Sequence, residues 1–189
     1  MKMGLTGIPK EVLVREAREW ANSIVVALIL TLVIRTFVVQ AYKIPSGSMI
    51  PTLLVGDKLF VNKYIYRFEP PKRGDIIVFK YPVDPKKDFI KRLVGLGGDE
   101  VEIRDGKIYV NQKVMDDPKT FGKFYYYNHD PYGGPREPIK VPADSYYVLG
   151  DNSANSTDSR FWGFVPKKNV LGRAIFRWWP LHRFGKIEN

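Results

Sequence analysis

The sequence predicts a mainly β protein in which a single N-terminal transmembrane helix precedes an antiparallel all-β domain. Three observations carry this. An apolar run without acidic residues lies near the N-terminus, short apolar segments bounded by turn residues fill the rest, and no helical periodicity of useful length follows Tyr42.

Residues Lys10 to Trp20 read as a charged helix, with Glu11, Arg15, Glu16, Arg18 and Glu19 interleaved among Val12, Val14 and Ala17. From Trp20 to Gly56 there is no Asp or Glu, and Ala21 to Ile34 is nearly all Ile, Val, Leu and Ala. That run alone is short of the roughly 20 residues a bilayer core demands. Arg35 interrupts it, but Thr36 to Ala41 resumes the apolar character, and an arginine near the end of a span can reach the interface. Trp20 and Tyr42 bracket the segment as interfacial aromatics do. The expected transmembrane helix is therefore residues 21–41, with 1–20 as a cytoplasmic segment and 42–189 as an outward-facing β domain. Lys2, Lys10, Arg15 and Arg18 ahead of the span set that orientation. The competing readings are a buried core helix and a cleaved signal peptide. Apolarity on every face speaks against a surface-packed helix. No Ala-x-Ala-like site follows the run.

After the span, Lys58 to Ile65 alternates weakly, and Asp75 to Tyr81 is an apolar run bounded by Gly74 and Pro82. Asp88 to Val94 is another strand. Val101–Arg104 and Lys107–Val110 flank Asp105-Gly106, a strong hairpin signal, and Asn111-Gln112 offers a second turn. Asp116 to Pro142 is turn-rich and aromatic and reads as an irregular excursion. Ser145 to Leu149 and Val170 to Trp179 return to strand character around a polar loop, Gly150 to Arg160.

Composition narrows the chemistry. Among 189 residues, 30 Lys and Arg stand against 20 Asp and Glu, a formal charge of +10 that suits an anionic partner such as lipid head groups or nucleic acid. The absence of cysteine excludes disulfides and thiolate chemistry. His129 and His182 alone give little material for a histidine triad or a zinc site.

The stretch Ile44 to Leu53 holds Ser46 and Ser48 between Pro45 and Pro51, with Gly47 freeing the backbone between them. A small hydroxyl on a fixed bend suits a nucleophile, but a serine needs a base within hydrogen-bond reach. On the strand Asp88 to Val94, Phe89, Lys91 and Leu93 share one face and Ile90, Arg92 and Val94 the other. Alternation alone does not say which cation is buried. Only lysine can lose its proton in a protein, and burial lowers its pKa. The hydroxyl-rich loop Gly150 to Arg160 offers a group to orient that amine, and Asp158 with Arg160 a pair to brace it.

Four blocks, in order behind a hydrophobic anchor, resemble the type I signal peptidases, membrane-bound serine proteases that remove signal peptides from exported proteins. They are Ser46-Gly47-Ser48-Met49-Ile50-Pro51-Thr52-Leu53, Arg73 to Lys80, Asp88 to Gly95, and Gly150-Asp151-Asn152 with Ser156, Asp158, Ser159 and Arg160. The resemblance runs from the anchor to about Trp178. It implies that Ser48 is the nucleophile and Lys91 the general base. It implies an oxyanion site formed by the Ser48 N–H and the Ser46 hydroxyl, support for the lysine from Ser156, and a structural pair of Asp158 and Arg160. It further implies substrates with small residues at −1 and −3 (Ala-x-Ala). Their shallow pockets would draw on Tyr42, Ile44, Pro45, Met49, Leu53, Val78 and Ile90, with the peptide extended against Asp88, Phe89 and Ile90. Neither metal nor cofactor is required. The expected partners are signal peptides and the lipid bilayer, not nucleic acid, and the expected place is the inner membrane with the catalytic domain on the extracytoplasmic face.

Two features depart from the family pattern. Gly95-Leu96-Gly97-Gly98-Asp99 has glycine where a proline is frequent, and the segment before Gly150 is short. The inserted smaller subdomain, about residues 99–142, is therefore expected to reduce to the Asp105-Gly106 hairpin and the aromatic excursion. Trp178 and Trp179 suit either the membrane surface or the core. The rival readings are a membrane-anchored binding or scaffold protein, a nucleic-acid-binding β-barrel and a self-cleaving Ser–Lys peptidase.

Overall fold

The computed structural model describes residues 10–33, 39–135 and 138–187. The chain divides into two units, Met1–Val38 and Val39–Asn189.

The first unit is built on helix α1, Lys10–Val33. Its first half is charged, with Arg15 and Glu19 one turn apart at 4.0 Å. Its second half is apolar, and Ile24, Val25, Val26, Leu28, Ile29, Leu30 and Leu32 are each more than half exposed. Ser23 and Thr31 bond back to the carbonyls of Glu19 and Ala27, which satisfies both hydroxyls inside the apolar stretch.

The expected helix over residues 21–41 is corrected at both ends. The helix already begins at Lys10 and, among the described residues, ends at Val33; residues 34–38 of the expectation lie outside them. Residues Val39 to Ala41 belong to a strand. No described helix is long and apolar enough to cross a membrane. The physical reason is plain in the pairing: Val39 to Lys43 lies antiparallel to Lys58 to Asn62 residue for residue, so apolar continuity across Arg35 joined two different elements into one expected span.

The second unit is mainly antiparallel β. Its strands in chain order are β1 Val39–Lys43, β2 Lys58–Asn62, β3 Ile76–Lys80, β4 Asp88–Gly95, β5 Glu100–Arg104, β6 Lys107–Val110, β7 Lys113–Val114, β8 Ile139–Lys140, β9 Ser145–Leu149, β10 Val165–Pro166, β11 Val170–Trp179 and β12 Gly185–Lys186. The larger sheet runs β1-β2-β11-β3-β4-β9-β10, with β12 on β11, and the smaller runs β7-β6-β5-β8. Asp105-Gly106 and Asn111-Gln112 both take positive φ, the geometry of tight hairpin turns whose twist matches their strands. The smaller sheet is more than the expected hairpin. β7 and β8 flank it, and Phe121, Tyr126 and Val141 from the aromatic excursion are buried against it with Val101, Ile103 and Ile108.

Two features of the larger sheet position the site. A core of Ile44, Met49, Leu53, Leu59, Val61, Ile76, Val78 and Ala174 lies beneath the turn that carries Ser48. Strand β4 pairs with β3 along Asp88 to Arg92, but with β9 only from Arg92 onward. The edge of Asp88 to Lys91 facing away from β3 is left unpaired among the described residues. Trp178 stacks on Phe60 with ring centroids 5.8 Å apart, while Trp179 is 44% exposed.

Candidate active site

The serine turn is held from two directions. Met49 and Leu53 are fully buried and pin it to the core. From the far side the loop after β9 clips its backbone: Asn152 N–H donates to the Ser48 carbonyl at 3.0 Å and Asn152 Nδ2 to the Gly47 carbonyl at 3.0 Å. The approach is so close that a Cβ on Gly150 would collide with the Ser48 carbonyl and with Ser156 Oγ, which is why a glycine stands there.

Strand β4 delivers Lys91 to this turn. Its Nζ donates to Ser48 Oγ at 2.8 Å and to the Ile90 carbonyl at 3.0 Å. Ser48 and Lys91 are 7% and 4% exposed, so water competes little for either. Burial pushes the Lys91 amine down to about 8, and the more distant carboxylates of Asp158 and Asp151 oppose part of that shift. Among the described residues no carboxylate pairs with it directly. A hydroxyl within reach of an amine that is readily neutral forms a nucleophile–base pair.

Arg92, the next residue, is equally buried on the opposite face, at 0% exposure. Its guanidinium meets Asp151 in a two-pronged pair, Nε to Oδ1 at 2.7 Å and Nη2 to Oδ2 at 2.8 Å, and Nη1 donates to the Gly74 carbonyl at 2.8 Å. Thr52 Oγ1 donates to Asp151 Oδ2 at 2.5 Å. Asp151 thus ties β4 to the end of the serine turn. Asp158 and Arg160 are also a buried pair, Nε–Oδ1 and Nη2–Oδ2 both 2.8 Å. Asp158 Oδ2 accepts from Gly150 N–H, and Arg160 reaches the Tyr127 carbonyl and the Ser153 hydroxyl.

A cleft of about 370 Å³ opens at the pair, lined by Pro45, Ser46, Ser48, Asp88, Phe89, Ile90, Lys91, Asn155 and Thr157. The described residues include no cluster that could hold a metal ion.

The comparison that decides the family is a match of residues 17–179 to the model described as signal peptidase, peptidase S26. The chain belongs to this family. A probable signal peptidase I-2 from a Synechocystis strain is 47% identical over 177 residues, covering 90% of this chain and 77% of the relative. Signal peptidase I from Leptolyngbya laminosa is 44% identical, covering 89% and 83%, and signal peptidase I S from Bacillus subtilis 38% identical, covering 90% and 93%. A solved signal peptidase I from Enterococcus faecalis covers 56% of this chain and 97% of its own at 32% identity, with a TM-score of 0.44. Membership makes the chain a serine endopeptidase that removes signal peptides from preproteins.

Against this family background, not all of the expected site residues reach the cleft. Ser46, Ser48, Lys91, Pro45, Asp88, Phe89 and Ile90 meet at one cleft. Ile44, Met49, Leu53 and Val78, expected as pocket walls, are at most 2% exposed and form the core that backs Ile90 instead. Tyr42 packs against the same core and donates its hydroxyl to Asp88 Oδ2 at 3.2 Å. Ser156 is buried beside Gly150, but its Oγ has no hydrogen-bond partner, so the expected bond from it to the Lys91 amine is not made. Sequence reasoning missed the tie of Arg92, Asp151 and Thr52. The available signal was an arginine between apolar Ile90 and Val94: unlike lysine it cannot shed its charge, so when buried it needs a carboxylate, and Asp151 lies in the Gly150-Asp151-Asn152 block.

Proposed function

We propose that this chain cuts preproteins after small residues with a Ser48–Lys91 dyad. The observation that carries the reading is the 2.8 Å bond between Lys91 Nζ and Ser48 Oγ, with the amine pushed down to about 8 by burial. Neutral Lys91 takes the Ser48 proton as Oγ attacks the scissile carbonyl. It then gives that proton to the leaving amine, and the acyl-enzyme ester is hydrolysed by a water that Lys91 deprotonates in turn. The oxyanion is held by the Ser48 N–H, which donates no other hydrogen bond among the described residues, and by the Ser46 hydroxyl at the cleft wall. Asp158 and Arg160 serve as the brace of the loop behind the dyad.

The substrate lies extended along Asp88 to Ile90. The unpaired edge of β4 supports this reading, because an extended peptide gains main-chain hydrogen bonds by adding to such an edge. The cleft ends on Phe89, Ile90 and Pro45, which favours small apolar side chains such as the two alanines of Ala-x-Ala.

The N-terminal part serves as a single-pass anchor in the inner membrane, with the β unit on the extracytoplasmic face. Support comes from the exposed apolar side chains of the second half of α1, which suit a lipid surround. Ala21 to Val33 covers only about 20 Å of a hydrocarbon core about 30 Å thick, so this anchor needs residues beyond Val33. The partners are then signal peptides and lipid, with no call on nucleic acid and no cofactor.

The test is cleavage of a preprotein carrying Ala-x-Ala before the cut, in detergent, by wild type, Ser48→Ala and Lys91→Ala. Wild type is expected to cut after the second alanine, and both variants to fold without cutting. Normal cutting by folded Lys91→Ala would assign the base to another group.

A further inference from the structure

A second cleft, of about 220 Å³, is lined by Pro51 and Thr52 and by four cations, Lys123, Arg177, Arg183 and Lys186. Among the described residues one carboxylate answers them. Asp57 lies 3.1 Å from Arg183 and 3.8 Å from Arg177, and its Oδ2 also accepts the Leu54 N–H. The two guanidinium side chains are only 16% and 17% exposed. Their remaining named contacts go to main-chain carbonyls: Arg177 to Arg183 O and Thr52 O, and Arg183 to Pro51 O and Thr52 O. Lys123 and Lys186 have no acidic partner among the described residues.

Among the described residues, two largely buried arginines share one carboxylate and two further ammonium groups line the same cleft, so positive charge exceeds negative charge in a confined space. Burial, and then the neighbouring Arg183, lower the pKa of Arg177, as expected of a cation short of counter-charge. We propose that this cleft is a binding site for a phosphate-bearing anion, either free phosphate or the headgroup of an anionic phospholipid. Planar guanidinium forks match phosphate oxygens, and the lysines add charge, Lys123 from a position over the Phe124 ring, 5.3 Å from its centroid. The volume equals about seven water molecules, room for a phosphate group and its first waters but not for an acyl chain. The same C-terminal segment exposes Trp179, Leu181 and Phe184 beside the cleft residues Arg183 and Lys186, which favours the lipid source. The site is independent of the Ser–Lys reading, since it uses neither residue. It does abut the same turn, because the arginines hold the carbonyls of Pro51 and Thr52.

The test uses the full chain in uncharged detergent, titrated with inorganic phosphate at constant ionic strength and followed by calorimetry. A second arm measures binding to phosphatidylcholine vesicles with and without phosphatidylglycerol. The proteins are wild type, the cleft pair Lys123→Ala/Lys186→Ala, and a control pair, Lys107→Ala/Lys113→Ala, which removes the same charge from the smaller sheet. The proposal expects saturable binding by wild type that weakens at least about tenfold in the cleft pair and not in the control. A loss confined to the phosphatidylglycerol vesicles assigns the site to lipid. A loss confined to inorganic phosphate assigns it to a free anion. Preprotein cleavage in detergent, unchanged in the cleft pair, certifies its fold. Equal losses in both pairs, or no saturable binding of either probe, would overturn the proposal.

Discussion

Lys91 and Arg92 are neighbours on one strand, both buried and both basic, and their surroundings differ completely. Arg92 meets the Asp151 carboxylate in a two-pronged pair and also bonds a carbonyl. Lys91 donates to a hydroxyl and a carbonyl and lies over the Phe89 ring, 5.3 Å from its centroid, with no carboxylate partner among the described residues. The pleat separates them: one residue turns each side chain to the opposite face. The difference teaches how one strand can carry a strut and a base side by side. A buried cation with a matched carboxylate keeps its charge and holds the fold together. A buried cation without one is driven toward neutrality, and a neutral amine beside a serine is useful for chemistry.

The comparison is broken most forcefully by exchanging what each cation loses. Lys91→Ala is expected to lower kcat/KM for preprotein cleavage by about 10²–10⁴-fold, the usual worth of a general base, while the protein stays folded. Arg92→Met is expected to act the other way, through stability. Removing one member of a buried pair leaves Asp151 charged and unpaired, a cost of about 3–5 kcal/mol in denaturant unfolding. Should Arg92→Met leave stability intact and abolish only turnover, the division of labour drawn here is wrong.

The effect of pH sharpens the same contrast. The folded-state pKa of Lys91 is lowered from 10.5 to about 8. Its desolvation cost is therefore fully present below about pH 8 and fades as pH rises from about 8 to 10.5, where the unfolded chain also loses the proton. Lys91→Met should thus raise the unfolding free energy at pH 7, by up to about 3 kcal/mol, with the gain shrinking across that window. A smaller effect is expected at Thr52. Thr52→Val removes its hydrogen bond to Asp151 and should cost about 1–2 kcal/mol of stability, with a modest fall in kcat as the serine turn loosens.

Much of the site was legible before any coordinates. A proline-bounded serine turn and a lysine between apolar neighbours state their chemistry locally, and the order of the blocks pointed to the family. Pairings across the chain were not legible. Alternation put Lys91 and Arg92 on opposite faces, but nothing near Arg92 says that Asp151, 59 positions on, meets it. Apolar residues near a nucleophile could not be sorted into cleft wall and supporting core, so Ile44, Met49, Leu53 and Val78 were placed in the wall and lie in the core. The membrane span was drawn too far for a similar reason. Hydropathy does not record a change from helix to strand, and Val39 to Ala41 is as apolar in a sheet as it would be in a helix. The smaller sheet exceeded its hairpin because β8 pairs with β5 from far along the chain.

The most direct test is the titration of the Lys91 side chain in the wild-type protein by NMR, its Cε resonance assigned by its loss in Lys91→Met. The account predicts a single titration near pH 8, matched by preprotein cleavage that falls about tenfold per pH unit below it. A Cε resonance that titrates near 10.5, as for an exposed lysine, would contradict it and leave Ser48 without its base.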